Sequence, residues 1–232
     1  MPSTRTVTLD LHVHTNHSHD GRDSVEAVVK SAIAQGLDGI AICDHNTLGG
    51  SVAARSYAAE NQLELVIIPG IEISTSRGHL LVLGLDEAIE QGLPPAETIE
   101  RARQQERETN GTVAIIAPHP YHPFRHSLGR RCLTPGVDAI EVFNARYFTG
   151  LANAWARWTA ARHGITAVAG SDAHTADCVG LATVEVEVSA AAAAKLEPAL
   201  VVKRLKEGAV RIARCQRAPR GMYYAQLCRK RR

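Results

Sequence analysis

Short apolar runs alternate along this chain with longer stretches of helical periodicity. The runs predict strands at residues 6–13, 39–44, 64–73, 79–85, 112–118, 138–143, 165–171 and 183–188, most of them rich in Val and Ile and bounded by Gly or Pro. The helices between them carry recognisable ends. Asp23-Ser-Val-Glu26 resembles a capping box, and Gly36 stands where that helix should stop. Residues 96–109 predict a charged, exposed helix with Glu97 and Arg101 at i,i+4 spacing. Residues 150–163 predict another, closed by Gly164, and residues 197–207 a further one ending at Gly208. The alanine run Ala190–Ala194 opens a C-terminal helical segment.

This alternation predicts parallel strands joined by crossover helices, in an open sheet or a closed barrel. A chain of 232 residues suits one such domain and is short for two. No internal repeat or low-complexity linker divides it. The expected organisation is a catalytic α/β domain over residues 1–190 and a basic extension over 191–232, packed on or trailing it.

Charge sharpens that division. From Lys203 to Arg232 there are eleven Lys/Arg and one acid, Glu207, so the rest of a chain of net charge +2 carries −8. An acidic body suits a carboxylate-rich, cation-binding domain. The basic tail is either a solvated or docked helix or a segment that reaches phosphate, including nucleic acid. No apolar run is long enough to span a bilayer, and Met-Pro-Ser-Thr-Arg leads into no signal-peptide core. Cys43, Cys132, Cys178, Cys215 and Cys228 show no Cys-x-x-Cys spacing and read as reduced thiols of a cytoplasmic protein.

The chemistry gathers at strand ends. His12 and His14 close the first strand, and alternation aims both to one side. Asp44-His45 closes the second, and Glu72 lies late in the third. His119 follows Val-Ala-Ile-Ile-Ala-Pro, and Asp172-Ala-His174 follows Ala-Val-Ala-Gly-Ser. His79 is the exception, because it begins its strand. Each element alone has an ordinary explanation as a helix start, a surface charge or a Pro-rich turn. Together, imidazoles and carboxylates at matching ends of successive apolar strands point to a metal centre at the face where β/α barrels build their sites. The set contains no thiolate, which suits Zn, Mn, Fe or Co, and is too large for one ion, so two or three fit. Multinuclear sites of this kind serve phosphoryl chemistry.

Asp10-Leu-His-Val-His-Thr with Ser18-His-Asp-Gly21, Ile42-Cys-Asp-His-Asn-Thr47, Gly70-Ile-Glu-Ile-Ser74, Gly78-His-Leu-Leu-Val-Leu-Gly-Leu85, Ala117-Pro-His-Pro120 and Gly170-Ser-Asp-Ala-His174 together resemble the motifs of the PHP (polymerase and histidinol phosphatase) superfamily. The resemblance spans residues 7–175. It implies a distorted (β/α)7 barrel, here with a C-terminal basic helical extension, and a trinuclear site. One metal would take His12, His14, Glu72 and Asp172. A second would take Glu72 as a bridge, with His79 and His119. A third would take Asp20, His45 and His174. His17, His19 and Asp23 compete with Asp20 for its place.

Around these ligands, His17 and His122 are candidates to orient substrate or protonate a leaving group. Arg77, Arg125 and Arg146 are candidates to clamp phosphate, Asn144 to donate a pocket hydrogen bond, and Asp44 to support the neighbouring ligand. The expected activity is metal-dependent hydrolysis of a P–O bond by a metal-activated hydroxide, on a small phosphomonoester or nucleotide. The alternatives are a nuclease or phosphodiesterase whose basic tail grips DNA or RNA, and a non-catalytic metal-binding module.

Overall fold

The computed structural model describes residues 4–219 and 221, apart from 124 and 148. Among the described residues nine strands form one sheet: β1 (Thr4–Val13), β2 (Gly39–Ile42), β3 (Val66–Thr75), β4 (Gly78–Leu83), β5 (Ala114–Ala117), β6 (Ala139–Asn144), β7 (Thr166–Gly170), β8 (Ala182–Ser189) and β9 (Val210–Cys215). Their order is β7-β6-β5-β4-β3-β2-β1-β8-β9. The sheet curls until its two sides meet. Val13 at the end of β1 bridges in parallel to Ala173 just beyond β7, and β7 packs on β8 and β9. The result is a nearly closed barrel, ringed by α1 (Val25–Ala34), α2 (Gly49–Glu60), α3 (Pro95–Thr109) and α4 (Leu151–His163).

Strand alternation fills this barrel. Val7, Leu9 and Leu11 of β1 join Ile68, Leu81, Leu83, Ile116, Val168 and Val184 in one interior cluster. The intervening side chains pack outward, as Ile40 and Ile42 do against Val28, Val29 and Ala32 of α1. Near its end β1 breaks this rhythm. Its register with β2 shifts between Asp10 and Val13, and Val13 belongs to the outer cluster under α1 although Leu11 belongs to the interior. A bulge re-aims the side chains beyond it. Alternation therefore keeps His12 and His14 on one side, and the bulge decides that this side is the inner one.

Three features depart from a simple chain of parallel crossovers. The strand pairs β3–β4 and β4–β5 are antiparallel, so the start of β4 lies beside the end of β3, with Ser74 opposite His79. This explains why His79 opens its strand yet sits with ligands that close theirs. Strand β8 runs antiparallel to β1. The C-terminal segment is also not wholly helical. After α5 (Ala190–Ala194) and α6 (Pro198–Lys206), residues 210–215 form β9, antiparallel to β8. The period-2 pattern of Val210, Ile212 and Arg214, half-buried, against Arg211, Ala213 and Cys215, exposed, is the local reason. Helix α6 contributes Val201, Val202 and Leu205 to the interior cluster. The tail from residue 222 and Cys228 lie outside the described residues; Cys43, Cys132, Cys178 and Cys215 are free thiols. Among the described residues no helix is long and apolar enough to cross a membrane.

Candidate metal centre

All nine proposed ligands converge at one end of the barrel, and Glu72 lies at their middle. Its carboxylate is faced by five imidazoles: His79 Nδ1 at 2.8 Å, His119 Nε2 at 3.0 Å, His14 Nε2 at 3.2 Å, His12 Nε2 at 3.4 Å and His45 Nδ1 at 3.5 Å. The same His14 Nε2 also faces Asp172, whose Oδ1 lies 3.6 Å away. Asp20 Oδ2 is 2.8 Å from His174 Nε2, and its Oδ1 is 3.7 Å from His45 Nε2. Three groups have ligand atoms all within 4.8 Å of one another: His14, Asp20, His45 and His174; His12, His14 and Asp172; and His45, Glu72 and His79. His14 and His45 each belong to two, so the groups form one continuous cluster. The carboxylates of Glu72 and Asp172 are buried, whereas Asp20 and His79 reach the mouth.

Orphaned atoms test whether this cluster fits cations. Glu72 Oε2, His45 Nδ1 and His119 Nδ1 are buried and have no hydrogen-bond partner among the described residues. An unpaired buried acceptor is costly, and a cation satisfies several at once. Protonation divides the ligand rings: against burial, Asp172 and Glu141 raise His12, and Glu72 and Asp20 raise His45, whereas three other rings are lowered. Burial pushes His14 down to about 4 and lowers His119, and burial with the Arg146 guanidinium pushes His174 well below the usual imidazole range. Burial opposes ionisation of Glu72, but the His45 and His79 rings hold it well below the usual carboxylate range. Asp172 is held low in the same way, against burial, by Arg125, His12 and Arg146. Imidazoles around ionised carboxylates are a hard-to-borderline N/O donor set for divalent ions, and a cation would take the place of the protons on His12 and His45.

The surrounding residues fix this geometry. Glu141 of β6 is buried among the ligands and was not among the residues singled out from the sequence. Its Oε1 meets His12 Nδ1 at 2.9 Å, and its Oε2 accepts from the His119 backbone N–H at 2.8 Å and from Asn144 Nδ2 at 2.9 Å. That bond sets which His12 nitrogen faces Glu72. A lone acid in the apolar strand Ala-Ile-Glu-Val-Phe-Asn was the available signal. Asn144 also donates to Asp172 Oδ2 at 3.0 Å. Asp10 ties β1 to the loop after β7, accepting from Ser171 N and Gly180 N at 3.0 and 2.8 Å. Gly170 is required here, because a Cβ would lie 2.5 Å from both Glu141 Oε1 and His12 Cβ. His119 and Asp172 hold left-handed backbone conformations, with φ of 30° and 52°, as residues at over-determined sites do.

The remaining candidates divide. Asp44 supports no ligand ring directly; its carboxylate accepts from the backbone N–H and hydroxyl of Thr15, both at 2.7 Å, and so shapes the loop between His14 and Asp20. Among the rivals of Asp20, Asp23 accepts from Ala176 N at 2.6 Å, His19 lies tilted against His45 with ring centroids 4.9 Å apart, and exposed His17 lies beside Gly49. Arg125 and Arg146 both pair with Asp172, whereas Arg77 is exposed on the β3–β4 turn. His122 is buried against Tyr147, ring centroids 4.6 Å apart, and burial with Arg125 pushes it down to about 3.

This constellation agrees with the comparisons. Residues 10–124 match the PHP domain, and residues 150–210 match the PHP-associated domain. The chain is 41% identical over 154 residues to protein MJ1587 of Methanocaldococcus jannaschii, covering 62% of this chain and 85% of that one. It is 34% identical over 107 residues to the phosphoribosyl 1,2-cyclic phosphate 1,2-diphosphodiesterase of Eggerthella lenta, and 34% identical over 113 residues to the 5'-3' exoribonuclease Rnm of Escherichia coli. Those matches cover 44% and 48% of this chain, but only 38% and 37% of the two relatives. The fold matches a two-domain protein of Bacteroides vulgatus containing a predicted PHP-like metal-dependent phosphoesterase. The TM-score is 0.70 at 18% identity, over 91% of this chain and 66% of that one. The chain belongs to the PHP family.

Proposed function

We propose that this chain releases the phosphate of a small phosphomonoester or nucleotide at a centre of three divalent ions, Zn, Mn or Fe. The single observation that supports this most is Glu72, a buried carboxylate faced by five imidazoles, with two arginines standing on the neighbouring Asp172. His12, His14, Glu72 and Asp172 would hold one ion, Glu72, His79 and His119 a second, and Asp20, His45 and His174 the third. Bound there, such ions neutralise phosphate oxygens and lower the pKa of a water towards about 7. Arg125 and Arg146 present two guanidinium forks at the edge of the cluster, a match for a phosphate dianion. Glu141 orients His12, Asn144 holds Glu141 and Asp172 in place through both of its amide hydrogens, and His122 offers a hydrogen bond beside the reacting group. We assign His17, exposed beside Gly49, to the leaving group. We place the protein in the cytoplasm, where its buried thiols stay reduced.

A second reading, cleavage of a nucleic-acid ester, is favoured by the exoribonuclease relative and by the basic C-terminal region. The test is a substrate panel on Mn-, Zn- or Fe-reconstituted protein: sugar phosphates, histidinol phosphate, mononucleotides, 3′,5′-bisphosphates, and short DNA and RNA, with metal content measured on the same sample. Phosphate release from a small monoester, lost in His12→Ala protein that still folds, is the expected result. Full activity in His12→Ala would refute the site, and cleavage confined to oligonucleotides would select the second reading.

A further inference from the structure

Both tryptophans of the chain stand in the open. Trp155 and Trp158 on α4 are each 61% exposed, and Leu151, one turn before them, is 75% exposed. Residues 151, 155, 158 and 162 follow helical spacing along one face, so Leu151, the two indoles and Arg162 form a single stripe, with exposed Arg157 beside it. Three of the five exposed large apolar side chains among the described residues thus share one helix face, and clustering of this kind marks an interaction surface.

The charge around the stripe is one-sided. Three long stretches of the chain contain no acidic residue: 109–137, 142–171 and 208–232. The fold brings all three to α4, which belongs to the second. Tyr121, from the first, meets Trp155 with ring centroids 5.7 Å apart, and its hydroxyl lies 3.0 Å from Thr159 Oγ1. The third arrives after β9: Ala218 N–H donates to the Ala145 carbonyl at 2.9 Å, and the Arg217 guanidinium packs on Gly150 at the start of α4. The same helix is coupled to the metal centre through its inner face. Asn153 and Asn144 exchange two hydrogen bonds, of 3.2 and 3.1 Å, and Asn144 donates to Asp172.

We infer that the outer face of α4 is a stacking platform for single-stranded nucleic acid beside the metal centre. Exposed aromatic side chains flanked by arginines supply what such a ligand needs: π-faces for its bases and cations for its phosphates. The other occupants fit less well. A second copy would set Arg157, Arg162 and Arg217 against themselves. The chain's own tail, residues 219–232, carries five Lys/Arg and no acid, so its charge has the same sign as this face and does not complement it. For its link to catalysis the inference rests on the phosphoester reading; the binding surface stands without it.

Because Trp155 and Trp158 are the only tryptophans, intrinsic fluorescence reports directly on this surface. Titrating the full-length, metal-free chain with a ten-nucleotide single-stranded RNA or DNA should give saturable quenching that weakens steeply with salt. Trp155→Ala and Trp158→Ala should each weaken binding of the oligonucleotide, read by anisotropy of a label on it, about five- to a hundredfold. Both variants should leave metal-loaded turnover of bis(p-nitrophenyl) phosphate unchanged, since neither residue lies in the metal centre. The inference is overturned by any of four results. These are an absence of quenching, equal affinity for base-free polyphosphate, quenching by phosphatidylserine vesicles but not by oligonucleotide, or indoles already buried by dimerisation or by residues 219–232. Oligonucleotide binding with no hydrolysis of any ester would leave this surface standing and refute the catalytic reading instead.

Discussion

Leu9 and His12 lie three residues apart on one strand and are equally inaccessible to solvent, yet they belong to interiors of different kinds. Leu9 packs with Ile68, Leu81 and Val184, in contacts that any apolar neighbour of the right volume would satisfy. His12 needs Glu141 on one ring nitrogen and faces Glu72 and Asp172 with the other. The apolar body of the barrel therefore supplies stability from many interchangeable contacts. The polar end draws on specific partners and holds unpaired buried atoms such as Glu72 Oε2, which favour cation binding over apo stability. A substitution should damage one property and largely spare the other according to which interior it enters.

The largest separation is expected from Glu72→Gln, which keeps the shape and removes the shared charge. Hydrolysis by the reconstituted protein should fall by about a thousandfold, and metal content by elemental analysis should drop, while the apo fold persists in circular dichroism. Unchanged metal content would break the comparison at its centre. Leu81→Ala does the reverse. It should cost about 2–5 kcal/mol in denaturant unfolding, with metal stoichiometry intact in the folded fraction.

Glu141→Gln tests the boundary between the two interiors, because Glu141 touches ligands without being assigned to a metal. Metal affinity or activity should fall about 10–100-fold, as expected when the partner of a ligating histidine is lost. The smallest effect belongs to the rim. Burial raises the Glu106 carboxyl, but the Lys206 ammonium at 2.5 Å, the Val113 N–H and Arg103 more than reverse this and hold it below its usual value. Its stabilisation is then present above pH ~4.3 and fades as pH falls through the lower folded value. Lys206→Met should cost under about 1 kcal/mol near pH 7 in chemical denaturation, and the difference from the parent chain should shrink as the medium is acidified below pH ~4.

Much of the polar end could be read before the fold was known. Ligand types and their placement at strand ends are local facts, carried by apolar runs and the residues that stop them. Strand β9 was also legible in principle, since Val210 and Ile212 alternate with Arg211 and Ala213, but the segment was read as part of a helical extension. Glu141 and Arg125 were harder. An acid inside an apolar strand looks like any other acid until its cross-barrel partners are known, and Arg125 differs from Arg77 only in where its loop carries it. Asp20 lay between these cases, because four neighbouring residues could have served and only the packing of the β1–α1 loop against His174 separates them.

By itself the sequence determined the alternating elements, the chemical character of the site and the family whose motifs it carries. It could do so because side-chain periodicity and ligand type are properties of a few consecutive residues. Tertiary structure decided the bulge that turns His12 and His14 inward, the antiparallel β4 that returns His79 to the site, and the meeting of Asp20 with His174 across 154 positions. It also gathered three acid-free stretches around two exposed indoles. These depend on long-range pairing and loop closure, where residues far apart in the chain share one small volume, and no local pattern encodes which of them will meet.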